Sequence, residues 1–268
     1  MEIQLQFHPE SHVKPLEWEK FNFPKSVKWM EQHWHYSFIF SLMYILIIHA
    51  GQMMMKNRRP FKLKSLLFLW NVSLAIFSIA GFLRTFPEIA KLLTEDSGFH
   101  KSVCSREQQT IATAFWSLLS AWSKVAELFD TAFVVLRKQP LIFLHWYHHT
   151  SVLLFTWFTY TSMDPSNRWF LSMNYFIHGI MYAYYALKAT GVKVPRSISV
   201  VITSLQILQM IMGVTVNVYS LVVRAVGTPC ARKDMDVAVG LLMYFSYMIL
   251  FGNFFYKAYL KSSSKKRV

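Results

Sequence analysis

The chain has 268 residues, 54% of them hydrophobic and 17% aromatic, and carries a formal charge of +14. Long apolar runs at that density exclude an ordinary cytosolic globular domain and point to an all-α, polytopic membrane protein. The Lys and Arg residues stand in the joints between those runs, which suits lipid headgroups, orientation signals and an anionic substrate rather than nucleic acid.

Residues 1–33 are mixed and polar, without a basic stretch leading into an apolar core, so no cleavable signal peptide is expected. Trp18, Phe21, Phe23 and Trp29 predict an interfacial segment, with a short amphipathic helix near 26–33. Seven apolar spans follow, at about 34–55, 65–83, 110–136, 141–161, 169–187, 198–223 and 237–260, each long enough to cross a bilayer. Pro60 breaks the basic joint after the first span. The longest connection, 84–109, holds Cys104. Arg137 and Lys138 form a tight joint before Pro140, which is placed at the start of the fourth span. Asp164-Pro165-Ser166-Asn167 is a turn by its chemistry. Lys188, Lys193 and Arg196 lie around a Gly/Pro loop, and Cys230 lies in the loop before the last span. Asn71-Val72-Ser73 matches a glycosylation sequon but falls inside the second span and is expected to be unmodified.

Seven spans place the termini on opposite sides. The joints after spans one, three, five and seven concentrate Lys and Arg in short segments, which assigns the C-terminus to the cytosol and the N-terminus to the lumen. The expected organisation is a lumenal segment at 1–33, a seven-helix domain at 34–260 and a cytosolic tail at 261–268. In that tail Lys265 and Lys266 have the placement of a dilysine retrieval signal for the endoplasmic reticulum, which is read by a receptor. An ordinary basic tail is the alternative. Cys104 and Cys230 both fall on the lumenal side, where an oxidising compartment permits a disulfide between them.

The spans also carry ionisable residues, which are costly at membrane depth and usually face a bundle interior. The third has Lys124, Glu127 and Asp130, with Thr131 beside them. The fourth has His145, His148 and His149, whose i, i+3, i+4 spacing predicts three imidazoles on one helix face. The fifth has Asn174, His178, Tyr182 and Tyr185, and the sixth Thr203, Gln206 and Gln209. At 1.5 Å per residue, His148 lies roughly 10 Å, Gln206 roughly 12 Å, and His178 and Glu127 roughly 13 Å from the cytosolic ends of their spans. Helices running in alternating directions thus bring their polar residues to one layer, as a site requires and scattered packing residues do not.

Two chemistries fit such a layer. Imidazoles with Glu127 and Asp130 could ligate iron or zinc, although only four histidines lie deep, about half of what membrane desaturases and hydroxylases use. Alternatively, a neutral imidazole could act as nucleophile or base in acyl transfer, with carboxylates and amides orienting it and no metal needed. A ligand-sensing seven-helix bundle has no need of a buried Lys–Glu–Asp helix, and a transporter more often shows helices broken at mid-depth.

The motifs Lys124-x-x-Glu127-x-x-Asp130-Thr131, His145-x-x-His148-His149, Asn174-x-x-x-His178-x-x-Met181-Tyr182-x-Tyr184-Tyr185 and Thr203-x-x-Gln206-x-x-Gln209 resemble, in order and spacing, the four signatures of the ELO family of fatty-acid elongases. The text around Leu136 to Tyr147 is most similar to the branch acting on saturated and monounsaturated long-chain acyl groups. The resemblance implies a 3-oxoacyl-CoA synthase of the endoplasmic reticulum membrane that condenses long-chain acyl-CoA with malonyl-CoA. It implies no tightly bound cofactor, with malonyl-CoA as co-substrate. It also implies that spans two to seven enclose an acyl tunnel, and that the reductases and dehydratase of the elongation cycle are partners. Homo- or hetero-oligomers are both open.

On that resemblance His148 is expected to carry the acyl group and His178 to face it as base or second contact. His145 and His149 complete the catalytic set, with Glu127 and Asp130 fixing imidazole tautomers and Asn174 and Gln206 donating to a developing oxyanion. Lys124, Tyr182, Tyr185 and Gln209 are expected substrate contacts, with a core ion pair to Glu127 or Asp130 as the equal alternative for Lys124. Arg137, Lys138, Lys188, Lys193 and Arg196 are candidates for the CoA phosphates, with plain membrane orientation as the alternative. The acyl tail should run towards the lumen for roughly 20 Å, ending near Phe155, Trp157, Phe158 or Trp169.

Overall fold

The computed structural model describes residues 13–261, and all regular structure among them is helical. The Lys265–Lys266 signal lies outside the described residues. After a single 3-10 turn at Glu17–Glu19, ten α-helices follow in order: α1 Phe23–His33, α2 Tyr36–Met55, α3 Lys64–Leu93, α4 Gly98–Cys104, α5 Ile111–Glu127, α6 Asp130–Leu136, α7 Phe143–Ser162, α8 Asn167–Thr190, α9 Arg196–Ala225 and α10 Asp234–Phe255. A π-helical turn, Tyr256–Lys261, prolongs α10.

By length and composition α2, α3, α9 and α10 with its π-turn can cross a membrane. The remaining long elements are α5 with α6, α7 and α8. They are less apolar because they hold the lysine, carboxylates and histidines of the polar layer. Burying polar residues in the middle of the bundle leaves apolar faces of α2 and α3 outside, where Leu42, Leu46, Ile47 and Leu69 face outward at 60–63% exposure.

Three boundaries differ from the sequence expectation. Helix α3 runs ten residues beyond the predicted span and through Pro87. Its polar end is sustained by partners: Glu88 accepts from the Thr110 backbone N–H at 2.9 Å and is ion-paired with Arg168 at 3.2 Å, both side chains being 2% exposed. The predicted third span is two helices. At Leu128 and Phe129 the chain tightens to i→i−3 bonds, Leu128 N to Val125 O and Phe129 N to Ala126 O, which changes the direction in which Asp130 projects relative to Glu127. Pro140 stands outside α7, whose N-cap is Ile142.

The 26–33 helix forms as α1 and begins earlier, with Asn22 capping it through the Lys25 N–H. It packs on the bundle, burying Phe23, Val27 and Met30 against Ala114, Leu153, Trp157 and Tyr160. The preceding turn is pinned by Glu19, which is fully buried and accepts from Arg84 Nε (2.7 Å), Trp116 Nε1 (2.8 Å) and the Leu16 N–H (2.8 Å). Burial alone would raise its carboxyl pKa, but these donors and the Arg84 charge outweigh it and hold the group below the ordinary value.

Helices α3 and α8 form the longest pairing, and Gly81 permits it, since a Cβ there would come within 2.7 Å of the Tyr175 ring. Helices α9 and α10 pair next, with Gly213 seating Tyr244 in the same way at 2.3 Å.

The two ends of the bundle differ in chemistry. One end carries the Cys104–Cys230 disulfide, with Cα atoms 4.4 Å apart. Beside it Arg232 donates to both oxygens of Asp164 at 2.8–3.1 Å and to Ser220 and Asn217. Arg106 binds the carbonyls of Ser162, Met163 and Ala231. The other end has no acid. The sequence holds none between Glu31 and Glu88, Asp130 and Asp164, Asp164 and Asp234, or after Asp236. The joints of that end contain Lys56, Arg58, Arg59, Lys62, Arg137, Lys138 and Lys193, among other cations.

Candidate active site

Helices α5, α7, α8, α9 and α10 surround a cavity of about 60 Å³. Lys124, His148, Asn174, His178, Gln206 and Gln209 line it with Tyr247, and Phe155, Phe170, Tyr244, Met210 and Met243 also border it. Six of the predicted residues therefore converge, from four helices.

Hydrogen bonding fixes the state of one imidazole. Lys124 Nζ donates to both oxygens of Glu127 (2.8 and 3.0 Å) and to Asn174 Oδ1 (2.9 Å). An ammonium can only donate, so the amide oxygen must face Lys124 and the amide nitrogen must face His178. Asn174 Nδ2 accordingly donates to His178 Nε2 at 3.1 Å. The His178 proton then sits on Nδ1, 3.7 Å from Glu127 Oε2, too far for a hydrogen bond. Lys124 and Glu127, 2% and 3% exposed, are thus a mutually neutralised pair holding Asn174 and His178.

His148 is left open by contrast. Among the described residues its ring nitrogens make no hydrogen bond, and the ring borders the cavity at 5.1 Å from the Tyr247 ring and 6.5 Å from Phe251. Its backbone is held instead: the Tyr247 hydroxyl donates to the His148 carbonyl at 3.2 Å and lies 2.7 Å from Ser151 Oγ. A free imidazole on a fixed backbone suits a nucleophile.

The three histidines of α7 do not share one direction. Relative to His145, a helix turns His149 by about +40° and His148 by about −60°, a separation wide enough to place them on different neighbours. His145 Nε2 meets Thr131 Oγ1 at 2.9 Å, and that hydroxyl meets Tyr44 OH at 2.7 Å. His149, 6% exposed, lies tilted beside His145 with ring centres 4.6 Å apart, and its Nδ1 has no partner among the described residues. Neither borders the cavity.

Asp130 does not orient a histidine either. It accepts from Trp70 Nε1 at 2.6 Å and from the Tyr182 hydroxyl at 2.7 Å, which also takes Tyr182 away from substrate contact. Tyr185 is 45% exposed against Tyr184. Gln206 Nε2 rests on Met181 Sδ at 3.5 Å, a weak acceptor that leaves the amide available to a better one. Among the described residues no group of three or more His, Cys, Asp or Glu side chains is placed to hold a metal ion.

Of the basic candidates, Lys138 is spent on the Lys56 and Arg58 carbonyls (3.0 Å each) and Arg196 on those of Ala258 and Tyr259. Lys188 stands 5.4 Å over the Tyr184 ring. Arg137 is half-buried, and Lys193 is exposed with no partner among the described residues. At the far side of the cavity Phe155 is present as expected. Trp157 instead donates to Ala121 O in the α1 cluster, Phe158 meets Trp34, and Trp169 donates to Ser102. Phe170 and Tyr244 occupy the place expected of them. Tyr247 is the main residue that the sequence reading missed; the signal was two tyrosines, Tyr244 and Tyr247, one turn apart within an apolar span.

Residues 29–267 match the model of the family described as ELO: GNS1/SUR4 family. The chain is 47% identical over 243 residues to a protein of Drosophila melanogaster named very long chain fatty acid elongase 6, covering 89% of this chain and 77% of that one. It is 41% identical to the human protein of the same name, over 94% of this chain and 96% of that one. Mouse very long chain fatty acid elongase 3 is also 41% identical, over 94% and 92%.

Proposed function

The chain belongs to the ELO family and is a very-long-chain fatty-acid elongase, the condensing enzyme of chain elongation; from this premise we propose how its own residues carry the reaction. Acyl-CoA and malonyl-CoA are the substrates. His148 attacks the thioester carbonyl, the C–S bond breaks, and CoA leaves as the thiol with the proton that the imidazole gives up. Malonyl-CoA then enters and loses CO₂, and the resulting enolate attacks the acyl carbon. The C–N bond to His148 breaks, the imidazole regains a proton, and 3-oxoacyl-CoA departs.

His178 borders the same cavity as a neutral ring held by Asn174, where it can orient the reacting groups. Gln206, parked on a thioether, is free to turn its N–H₂ onto the enolate oxygen. The observation that carries this reading is the pair of cavity imidazoles in different states, one tied by Asn174 and the other with free nitrogens.

The acyl chain extends from His148 between Phe155, Phe170, Tyr244, Met210 and Met243. The two unbranched methionines among them can adapt their shape to the chain. All seven predicted spans cross the membrane of the endoplasmic reticulum. The disulfide supports a lumenal position for its end, and the acid-free end then faces cytosolic anionic substrates.

The test is incubation of purified protein with acyl-CoA alone. One equivalent of free CoA should appear, with the acyl mass on the peptide containing His148. Labelled malonyl-CoA added next should yield labelled 3-oxoacyl-CoA. Product formation without any CoA burst or acyl-peptide would replace the covalent route with direct condensation.

A further inference from the structure

The cations of the α2–α3 joint are not accounted for by the active site. Lys56, Arg58, Arg59, Lys62 and Lys64 are all exposed, and none enters an ion pair among the described residues. No residue of α2, α3 or α6 borders the cavity. Helix α2 packs on α6 and α7 rather than on α3, its neighbour in sequence. The joint therefore lies over the end of α6, on the outer side of the bundle.

The joint is also held rigidly. Phe61 N–H donates to the Leu136 carbonyl at 3.0 Å, and Lys138 Nζ reaches the carbonyls of Lys56 and Arg58. Lys138 can do this because it ends α6 in the left-handed conformation, φ 51°, turning the chain across the α2 terminus. A basic loop that served only to orient the chain during insertion would need no such clamp.

Apolar surface adjoins the cations. Met53 and Met54 are 72% and 63% exposed, Leu66 57% and Phe61 48%. Exposed apolar side chains beside a clamped loop of guanidinium and ammonium groups, with no acid in the joint, have the chemistry of one ligand class. That class is a phospholipid with a net negative headgroup, its acyl chains along α2 and α3 and its phosphate on the arginines.

We propose that the α2–α3 joint, through Arg58, Arg59 and Lys62, is a binding site for an anionic phospholipid, separate from the CoA site. Arg58 and Arg59 give the phosphate planar donors, and Lys62 adds a point charge. The proposal needs only that the chain lies in a membrane and does not depend on the covalent mechanism.

The probe is a set of vesicles, one of phosphatidylcholine alone and one of equimolar phosphatidylcholine and phosphatidylserine. The full-length protein is reconstituted into each, extracted, and its retained lipid measured by native mass spectrometry. Wild type should retain phosphatidylserine in preference to phosphatidylcholine. The triple variant Arg58→Gln/Arg59→Gln/Lys62→Gln should lose that preference, by about fivefold per charge and roughly a hundredfold in all. Its KM for acyl-CoA and its thermal midpoint in phosphatidylcholine should be unchanged, and Lys193→Gln should keep the preference. An undiminished preference in the triple variant overturns the proposal, as does a wild type without one. A raised KM for acyl-CoA with preference intact would hand these cations to the substrate and equally overturn it. Because retention is read without turnover, the result is independent of whether the elongation chemistry is as described.

Discussion

Two regions of this protein bury charge, and they do so to opposite ends. At the disulfide end, Arg232 with Asp164 is a closed pair and Arg168 is ion-paired with Glu88, each side chain 2% exposed or less. Beside these ion pairs, Glu88 Oε1, Arg168 Nε and Nη1 and both Asp236 oxygens are buried without a hydrogen-bond partner among the described residues. In the histidine layer one charge pair, Lys124–Glu127, is likewise closed, but it serves as the base from which Asn174 and His178 reach the cavity, while His148 keeps its nitrogens free. Buried charge with its partners present is structure; buried polar groups left without partners beside a cavity are a site. Depth in the membrane does not separate the two, and neither does an unpartnered atom alone; what marks the histidine layer is that its open groups line a cavity.

The sharpest way to break this contrast is at His148. His148→Ala should lower condensation to background while leaving the thermal midpoint near wild type, because its side chain makes no hydrogen bond among the described residues. Assays of CoA release from acyl-CoA alone should show the same loss. His178→Ala should fall by roughly 10²–10⁴-fold, the range of a positioned acid–base group, whereas exposed His49→Ala should be silent. Full turnover by a folded His148→Ala protein would remove the distinction between the regions.

The converse test is Arg232→Met. Deleting one partner of a buried pair leaves Asp164 uncompensated and costs about 3–5 kcal/mol. Expression and thermal stability should collapse, yet whatever folded protein is recovered should elongate at a normal rate per molecule. A stable but inactive Arg232→Met would place catalytic work at the disulfide end.

Tyr247→Phe probes the boundary between holding and reacting. The ring that packs on His148 stays, and only the hydroxyl that holds the His148 carbonyl and Ser151 is removed. One lost hydrogen bond is worth about 1 kcal/mol, so kcat should fall several-fold with KM unchanged, and acyl-peptide formation should slow in parallel. Loss confined to the malonyl-CoA half-reaction would mean that Tyr247 acts on the enolate rather than on His148.

What the sequence made legible follows the same division. The convergence of Lys124, His148, Asn174, His178, Gln206 and Gln209 could be read from spacing and depth, since helical rise and periodicity are rigid rules. The boundaries of α2, α7, α8 and α9 came within about three residues for the same reason. Arg84, Glu88, Arg168 and Arg232 were read as loop residues, because hydropathy counts a charge as exposed and cannot see the partner that lets it be buried. The separation of Glu127 from Asp130 was illegible too: i, i+3 residues share a face only on an unbroken helix, and the turn at Leu128–Phe129 has no Gly or Pro to mark it. The direction of His149 depends on a rotation of about 100° from His148, a difference that a shared-face argument averages away.

Acid adds a quieter contrast at the Glu19 turn. Its folded-state pKa is depressed, so its contribution to stability is present above the unfolded carboxylate value of 4.5 and is lost as pH falls through the lower folded value. Proteolysis of the segment before α1 should therefore rise below that pH, with turnover at neutral pH unaffected. Glu19→Gln should be cleaved readily at neutral pH and show little further pH dependence. If both proteins respond to acid alike, the turn is held by its apolar contacts and Glu19 adds nothing.

The smallest effect should come from Lys193, and it tests which cations of the acid-free end meet CoA. Lys138 and Arg196 both donate to carbonyls at helix ends, so neutralising either disturbs the joint it closes and confounds binding with structure. Lys193 is exposed and unpartnered among the described residues, in the loop between α8 and α9, two helices that do border the cavity. Lys193→Gln should raise KM for acyl-CoA by a few-fold at low salt, since an exposed charge contact is worth about 0.2–1 kcal/mol. That difference should shrink near physiological ionic strength, where the Debye length is about 8 Å. Arg196→Gln should instead lower thermal stability, because the guanidinium binds the carbonyls of Ala258 and Tyr259 and stands 5.6 Å over the Tyr259 ring. A KM insensitive to Lys193 at low salt, together with one that rises on Arg196→Gln without loss of stability, would exchange the two roles and move the CoA phosphates onto the α9–α10 clasp.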